Sequence, residues 1–174
     1  CVPGLSPVSF SPGALDKIKR RKTRVQSWFL DLTLVMDYWT SNASGKRSYH
    51  HTAPVNSLYA LHEALVLLQK EGLENAWARH LSKYQTLAAG LNELGLEFIV
   101  PKSERLPQLN AVYIPEGVND AAVRNQLLQD YNLEIGAGLG QFAGKAWRIG
   151  LMGYGARNEN VLLCLAALKQ ALTK

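Results

Sequence analysis

The chain has 174 residues, of which 47% are hydrophobic and 19% are charged, and its formal net charge is +5. This length is enough for one compact core or one and a half small domains, and the composition is that of a folded protein rather than a disordered one. No apolar run is long enough to cross a membrane, and the two cysteines lack the spacing of a metal site. We expect Cys1 and Cys164 to be reduced thiols, with Cys164 buried on a helix.

The first residues have the character of a loop, and basic residues follow them. The chain begins at Cys1 rather than at methionine, and we expect it to be part of a longer protein. Proline and glycine flank a short buried strand that is expected over Val8-Ser9-Phe10. Six basic residues between Ala14 and Arg24 fall all round a helix, which favours a solvated helix over a nucleic-acid-binding surface. The positive charge could equally favour anionic substrates.

Helical spacing predominates from residue 30 to residue 95. Leu30 to Trp39 is apolar at near-helical spacing, and Ser41 to Ser48 is a predicted polar loop. The pattern Thr52-Ala53-Pro54 is typical of a helix start, with Thr52 as the N-cap. One apolar stripe follows at spacings of three, four and three: Leu58, Leu61, Leu65 and Leu68.

A second long helix is predicted from about Leu73, because Gly72 interrupts the first one and Gly95 fits the position just past a helix end. Its apolar face consists of Leu73, Trp77, Leu81, Tyr84, Leu87, Leu91 and Leu94. After residue 95 short strands alternate with helices, which predicts a small two-layer α+β domain. The helices are predicted from an Asn119 cap through Tyr131 and over a last segment that buries Val161, Leu165, Leu168 and Leu172. The predicted strands are Glu97–Val100, Ala111–Ile114, Leu133–Ile135 and Ala146–Gly150.

Arg148 is the first candidate functional residue, because it lies within the apolar strand Ala146–Gly150. A guanidinium is costly to bury unless it is paired. Its planar fork matches a carboxylate through two parallel hydrogen bonds. The partner is either a ligand carboxylate or a structural glutamate, and the pattern alone leaves both open.

Two further motifs have weaker chemical signals. Tyr49-His50-His51-Thr52 precedes a helix N-terminus, where a phosphate would be favoured, although a capped helix start near two histidines is common. A metal site at these histidines is rejected, because no third ligand has usable spacing. Gly136-Ala137-Gly138-Leu139-Gly140 lacks the context of a dinucleotide-binding loop. It is a simple strand connection or, less favoured, a turn that lets the backbone approach a ligand.

Taken together, four stretches are more specific than any one alone. In their order and spacing the chain resembles the alanine–glyoxylate (serine–pyruvate) aminotransferases, a class-V group of the fold-type I pyridoxal-phosphate enzymes. The stretches are Pro3-Gly4-Leu5-Ser6-Pro7-Val8-Ser9-Phe10, Tyr49-His50-His51-Thr52-Ala53-Pro54-Val55, Gly72-Leu73-Glu74-Asn75-Ala76-Trp77 and Trp147-Arg148-Ile149-Gly150-Leu151-Met152-Gly153.

The resemblance implies roles for three residues. Tyr49 and Thr52 would contact the phosphate of pyridoxal 5'-phosphate bound by the neighbouring subunit of a homodimer. Arg148 would bind the substrate carboxylate. The lysine that anchors the cofactor would lie just upstream of Cys1, so no catalytic residue is expected within this chain.

The resemblance also implies an α/β fold of fold-type I. Residues 1–62 would end the large cofactor-binding domain, residues 63–85 would form a connecting helix region, and residues 86–174 would form a small α+β domain. The implied reaction is transamination between alanine or serine and a small 2-oxo acid such as glyoxylate or pyruvate.

Three alternatives to that reaction exist. A kynurenine or phosphonate amino donor stays open, while the absence of a mobile cysteine loop argues against a cysteine desulfurase. The order of the motifs argues against a nucleic-acid-binding module, and neither a nucleic-acid nor a membrane partner is expected. Because residues 172–174 do not form a peroxisomal address of the Ser-Lys-Leu type, the expected location is the cytoplasm.

Overall fold

The structure is a computed structural model that describes residues 3–39 and 48–173. The chain divides into two units, residues 1–67 and residues 68–174. The predicted domain boundaries at residues 62 and 85 concern the whole protein and stay a prediction. Cys1 and most of the predicted polar loop over residues 41–48 lie outside the described residues.

Helices form the first unit. Helix α1 is Pro12–Lys19, α2 is Leu32–Trp39, and α3, which continues into the second unit, is Val55–Glu71. Ser11 caps α1, since its hydroxyl accepts a hydrogen bond from the Ala14 N–H at 3.3 Å. Because α1 ends at Lys19, the last basic residues of the run lie beyond the helix.

Two predictions for this unit are wrong. No strand forms over residues 8–10, because no described residue pairs with that segment, and both Val8 and Phe10 are exposed. Thr52 is not the N-cap of α3, which begins only at Val55. The Thr52 hydroxyl lies instead beside the Tyr49 hydroxyl.

The second unit combines three helices with a small sheet. Its helices are α4 (Leu73–Glu93), α5 (Asp120–Tyr131) and α6 (Asn158–Leu172), and its strands are β1 (Leu109–Tyr113), β2 (Gly136–Ala137) and β3 (Ala146–Gly150). The strand order is β1-β3-β2, and both pairings are antiparallel. The predicted breaks at Gly72 and Gly95 are confirmed, and both glycines have a positive φ. Asn119 caps α5 as predicted, since its side chain accepts from the Ala122 N–H.

Two of the four predicted strands are confirmed as β1 and β3. The segment 97–100 makes only an isolated bridge, between Phe98 and Val112. The prediction of a strand over 133–135 is wrong, because α5 ends on Asn132 in the left-handed conformation and the Leu133 N–H still bonds back to the helix. Pairing with β3 therefore starts only at Gly136.

The core lies between one face of the sheet and the three helices. Trp147 is fully buried and is the largest side chain with no exposure. Around it lie buried residues of every neighbouring element: Leu87, Leu91, Leu96, Val112, Val123, Leu127, Ile149, Leu151, Val161, Cys164 and Leu168. Cys164 is buried on α6 as predicted, and burial raises the pKa of its thiol to about 11. Within the described residues no helix is long and apolar enough to cross a membrane.

One polar contact anchors the core tryptophan. The Trp147 indole N–H donates to Asp120 Oδ1 at 2.9 Å, and Arg124 donates to both carboxylate oxygens of Asp120 at 2.7 and 3.1 Å. These bonds, that of Arg124 first, lower the pKa of Asp120. The stability they provide is therefore present above the ordinary pKa of 3.8 and is lost as pH falls through the lowered value.

We predict that Asp120→Ala lowers the free energy of unfolding by about 1–3 kcal/mol, because it leaves a buried indole N–H without an acceptor. Asp120→Asn keeps an acceptor and should cost less, about 1 kcal/mol. Urea unfolding at pH 7 measures both losses. The difference between the parent and Asp120→Asn should shrink as the carboxylate is protonated at acidic pH. Equal losses for the two variants would contradict the role given to the indole bond.

Candidate functional site

Arg148 lies at the middle of β3, on the sheet face opposite the core. Side chains alternate along a strand, and Trp147 and Ile149 on either side of Arg148 are buried. The residues paired with Arg148 are Ala111 on β1 and Gly136 on β2. Both are small, and a Cβ at Gly136 would lie only 3.3 Å from Arg148 Nη2. The guanidinium therefore lies across the edge strand, in space that small neighbours leave open.

The hydrogen bonds of Arg148 leave much of its guanidinium available. Its Nε–H donates to the Ala137 carbonyl at 2.8 Å. Among the described residues no carboxylate lies within ion-pair distance of it. The structural ion pair with a glutamate that the sequence left open is thus not formed within residues 3–39 and 48–173. The two Nη groups are oriented by the Nε bond and suit a two-oxygen anion.

Arg79, which no sequence pattern marked as functional, differs from Arg148 because its guanidinium pairs with a carboxylate of the protein. It donates to both carboxylate oxygens of Glu71 at 2.5 and 2.8 Å, and to the carbonyls of Gly153 and Ala156 at 2.8 and 3.2 Å. The bond from Arg79 is the main cause of the lowered pKa of Glu71. Arg79 therefore stabilises the turn that follows β3. No sequence signal except its place on α4 pointed to it.

Tyr49 and Thr52 lie together in the first unit. Their hydroxyl oxygens are 2.6 Å apart, three residues before α3 begins. Tyr49 is 71% exposed, so its side chain is accessible to a group outside this chain. Two hydroxyl donors near the positive end of a 17-residue helix suit an anion such as a phosphate.

His50 lies in the same segment and is packed against residues from earlier in the chain. It is only 5% exposed, and its ring stacks on Trp28 with a centroid separation of 4.1 Å. Its Nε2 donates to the Trp28 carbonyl at 3.1 Å, and its Nδ1 shares a hydrogen bond with His51 Nδ1 at 2.7 Å. Phe29 and Tyr38 contact the same segment through their rings. The two histidines are thus structural supports, and no group of three metal-binding side chains occurs in the described part of the chain.

These aromatic supports were not predicted from the sequence. The available signal was the concentration of aromatic residues at positions 28, 29 and 38, just before the Tyr-His-His-Thr segment. Helical spacing included only Tyr38 in a predicted helical segment, and it could not relate the aromatic residues to the histidines, because the contact between Trp28 and His50 spans 22 residues of chain.

Comparison with known proteins decides the family. The sequence profile described as "Aminotransferase class-V" matches residues 16–155. The chain belongs to the class-V aminotransferases. Its fold is accordingly that of the fold-type I pyridoxal-phosphate enzymes, as the resemblance implied.

Three relatives illustrate how close the similarity is. The alanine–glyoxylate aminotransferase of Rattus norvegicus is 42% identical over 172 residues, which cover 98% of this chain and 41% of that protein. The (S)-ureidoglycine–glyoxylate transaminase of Bacillus subtilis (strain 168) is 35% identical over 189 residues, covering 98% and 44%. The crystal structure of alanine–glyoxylate aminotransferase from Nostoc sp. superposes with a TM-score of 0.89 at 48% identity, covering 99% and 45%. The chain thus spans less than half the length of these relatives.

The residues present fit the cofactor that class-V aminotransferases use, pyridoxal 5'-phosphate. An exposed hydroxyl pair before a helix N-terminus supplies the neutral donors that its phosphate takes. The charged fork of Arg148 suits a substrate carboxylate rather than the cofactor. Arg148 belongs to the second unit and the hydroxyl pair to the first.

We predict that His50→Ala loosens the Tyr49–Thr52 segment, because it removes a buried ring and two hydrogen bonds. Hydrogen–deuterium exchange of the amides of residues 49–52 should quicken by roughly tenfold or more, since local opening becomes easier by at least about 1.4 kcal/mol. His62→Ala is the matched control, because His62 is an exposed histidine on α3. Unchanged exchange in His50→Ala would show that the stack does not support the segment.

Proposed function

We propose that the protein to which this chain belongs is a pyridoxal-phosphate-dependent aminotransferase. It transfers an amino group between a small amino acid, alanine or serine, and a small 2-oxo acid, glyoxylate or pyruvate. The observation that carries the proposal is the placement of the Arg148 guanidinium. It faces away from the core, and its Nε–H donates to the neutral carbonyl of Ala137. The names of the relatives, which are alanine–glyoxylate and ureidoglycine–glyoxylate enzymes, favour glyoxylate as the acceptor.

Arg148 has the chemistry to serve both halves of such a reaction. An amino acid and the corresponding oxo acid share the same α-carboxylate, and the two Nη groups can donate one hydrogen bond to each of its oxygens. Each hydrogen bond to a charged group is worth roughly 1.5–3 kcal/mol. The same arginine thus orients either acid with its α-carbon in a constant place, and the bound cofactor supplies the electron sink for the amino transfer.

The hydroxyls of Tyr49 and Thr52 are proposed to bind the cofactor phosphate of a neighbouring subunit. Support comes from the exposure of Tyr49 and from the close approach of the two hydroxyls. The proposal makes the active enzyme a homodimer whose two equivalent sites each use residues of both chains. The lysine that anchors the cofactor is proposed to lie upstream of Cys1.

The alternatives from the sequence receive less support. The relatives named above do not favour a kynurenine or phosphonate donor. A nucleic-acid-binding module is not favoured either, since the basic run lies within the stretch matched by the aminotransferase profile. The cytoplasmic location stays a prediction.

We predict that Arg148→Lys in the whole enzyme raises KM for both the amino acid and the oxo acid by roughly tenfold or more, because lysine keeps the charge but loses the fork. The affinity for pyridoxal 5'-phosphate should not change. Steady-state kinetics with alanine and glyoxylate measure the effect. Arg157→Lys is the control, since Arg157 lies over the exposed ring of Tyr154. Equal KM values for Arg148→Lys and the parent would refute the carboxylate assignment.

We predict that two inactive variants complement each other when subunits exchange. One variant is Tyr49→Phe with Thr52→Val, which should weaken phosphate binding at the neighbour's site, and the other is Arg148→Ala, which should disable its own site. Random exchange makes half the dimers mixed, each with one intact site, so about a quarter of the parent activity should return at limiting cofactor. Tyr59→Phe, which removes an exposed hydroxyl on α3, should keep full activity. Demonstrated exchange with no recovery would show that the hydroxyls do not act across subunits.

A further inference from the structure

The edge strand β2 is the direct neighbour of the Arg148 side chain. Gly136 is paired with Arg148, and the Ala137 carbonyl accepts the hydrogen bond from Arg148 Nε at 2.8 Å. A guanidinium is planar, so a bond at Nε fixes the plane and the direction of both Nη groups. The position of the Ala137 carbonyl therefore decides where Arg148 presents its remaining donors.

That carbonyl is placed by the docking of Gly138 onto the chain that returns to β3. The Gly138 N–H donates to the Ala146 carbonyl at 2.8 Å, which extends the β2–β3 pairing by one residue. Gly138 is buried. The turn between the two strands is closed by hydrogen bonds from the N–H groups of Phe142 and Lys145.

Only glycine fits at position 138. A Cβ there would lie 2.0 Å from the Phe142 carbonyl oxygen, 2.7 Å from the Phe142 carbonyl carbon and 3.2 Å from the Ala146 carbonyl oxygen. All three are backbone atoms, so no rotation of a side chain relieves the clash. The φ of Gly138 is not positive. The requirement for glycine therefore comes from the close approach of two backbones rather than from a special turn conformation.

We propose that Gly138 is a positioning residue for the reaction. By letting β2 dock closely, it holds the Ala137 carbonyl where that carbonyl orients the Arg148 guanidinium toward the substrate carboxylate. This inference rests on the proposed function. It gives the glycine-rich stretch a role toward the ligand through Arg148, in addition to connecting two strands.

Gly138→Ala in the whole enzyme tests the proposal. The displaced strand should misplace the guanidinium, and KM for both alanine and glyoxylate should rise roughly 10–100-fold while the affinity for pyridoxal 5'-phosphate stays within about twofold. Hydrogen–deuterium exchange of the Gly138 amide should quicken in the same variant. Gly155→Ala is the matched control, because a Cβ at Gly155 meets no atom within 4 Å and the φ of Gly155 is not positive. It should keep the parent KM.

A purely structural role of Gly138 gives a different result. Lower stability reduces the amount of active enzyme, but the remaining enzyme keeps the parent KM. Such an outcome overturns the proposal. So does a loss of cofactor affinity as large as the rise in KM.

Gly136→Ala tests the last step of the proposal separately, namely that the direction of the Arg148 guanidinium determines KM, and it does so even if Gly138→Ala does not fold. Its Cβ would meet the Arg148 side chain rather than backbone, at 3.3 Å from Nη2 and 3.5 Å from Cζ, so β2 stays docked while the guanidinium is pushed. KM should again rise for both acids with an unchanged melting temperature, and an unchanged KM overturns the proposal. The proposed function fails separately, if the parent enzyme does not transaminate alanine with glyoxylate or if Arg148→Lys has no effect on KM.

Discussion

The alternation of side chains along β3 decides which groups of the second unit can meet a ligand. Trp147 has no exposed surface, and Asp120 accepts the hydrogen bond of its indole. Because neighbouring side chains of a strand point to opposite faces, burial of Trp147 and Ile149 places Arg148 on the other face. A slip of one residue would bury the guanidinium against three helices at a cost of several kcal/mol. The packing that buries Trp147 and Ile149 therefore also determines the direction of the candidate substrate-binding arginine.

Four arginines of this unit are partly buried, and they differ in their partners. Arg79 and Arg124 each hold a carboxylate through two bonds, and the hydrogen bond from each is the first cause of the lowered pKa of its partner, Glu71 or Asp120. Arg105 and Arg148 each donate through Nε to a neutral carbonyl instead, and the guanidinium of Arg105 also lies over the ring of Phe98. An arginine that already pairs with a carboxylate of the protein would contribute little binding free energy toward a substrate carboxylate. An arginine that is bonded only to a neutral group would contribute the free energy of a full charge-assisted hydrogen bond. The difference follows from the small, uncharged neighbours of Arg148.

Sequence patterns correctly predicted the features that depend on residues close by in the chain. The Asn119 cap, the breaks at Gly72 and Gly95 and the apolar strand around Arg148 depend on neighbours a few residues away, and all are confirmed. The predicted strand at 133–135 failed because the left-handed Asn132 delays the exit from α5, which periodicity does not register. The stack of His50 on Trp28 and the bond from Arg148 to Ala137 join segments that only the tertiary fold brings together. The residue types of the two candidate anion sites were thus predictable, but the residues that support them were not.

The two candidate anion sites share a principle although they lie in different units. In each, a backbone carbonyl accepts a hydrogen bond from a side chain of the site segment: the Trp28 carbonyl from His50 Nε2, and the Ala137 carbonyl from Arg148 Nε. The hydroxyls of Tyr49 and Thr52 and the Nη groups of Arg148 remain as donors for a ligand. Their chemistry differs, since the hydroxyls of Tyr49 and Thr52 are neutral and can satisfy each other at 2.6 Å, whereas a guanidinium cannot lose its charge. The free-energy cost of leaving the hydroxyl pair without a bound anion is therefore small. The guanidinium of Arg148 has no carboxylate partner among the described residues, so dissolved anions are expected to bind mainly there.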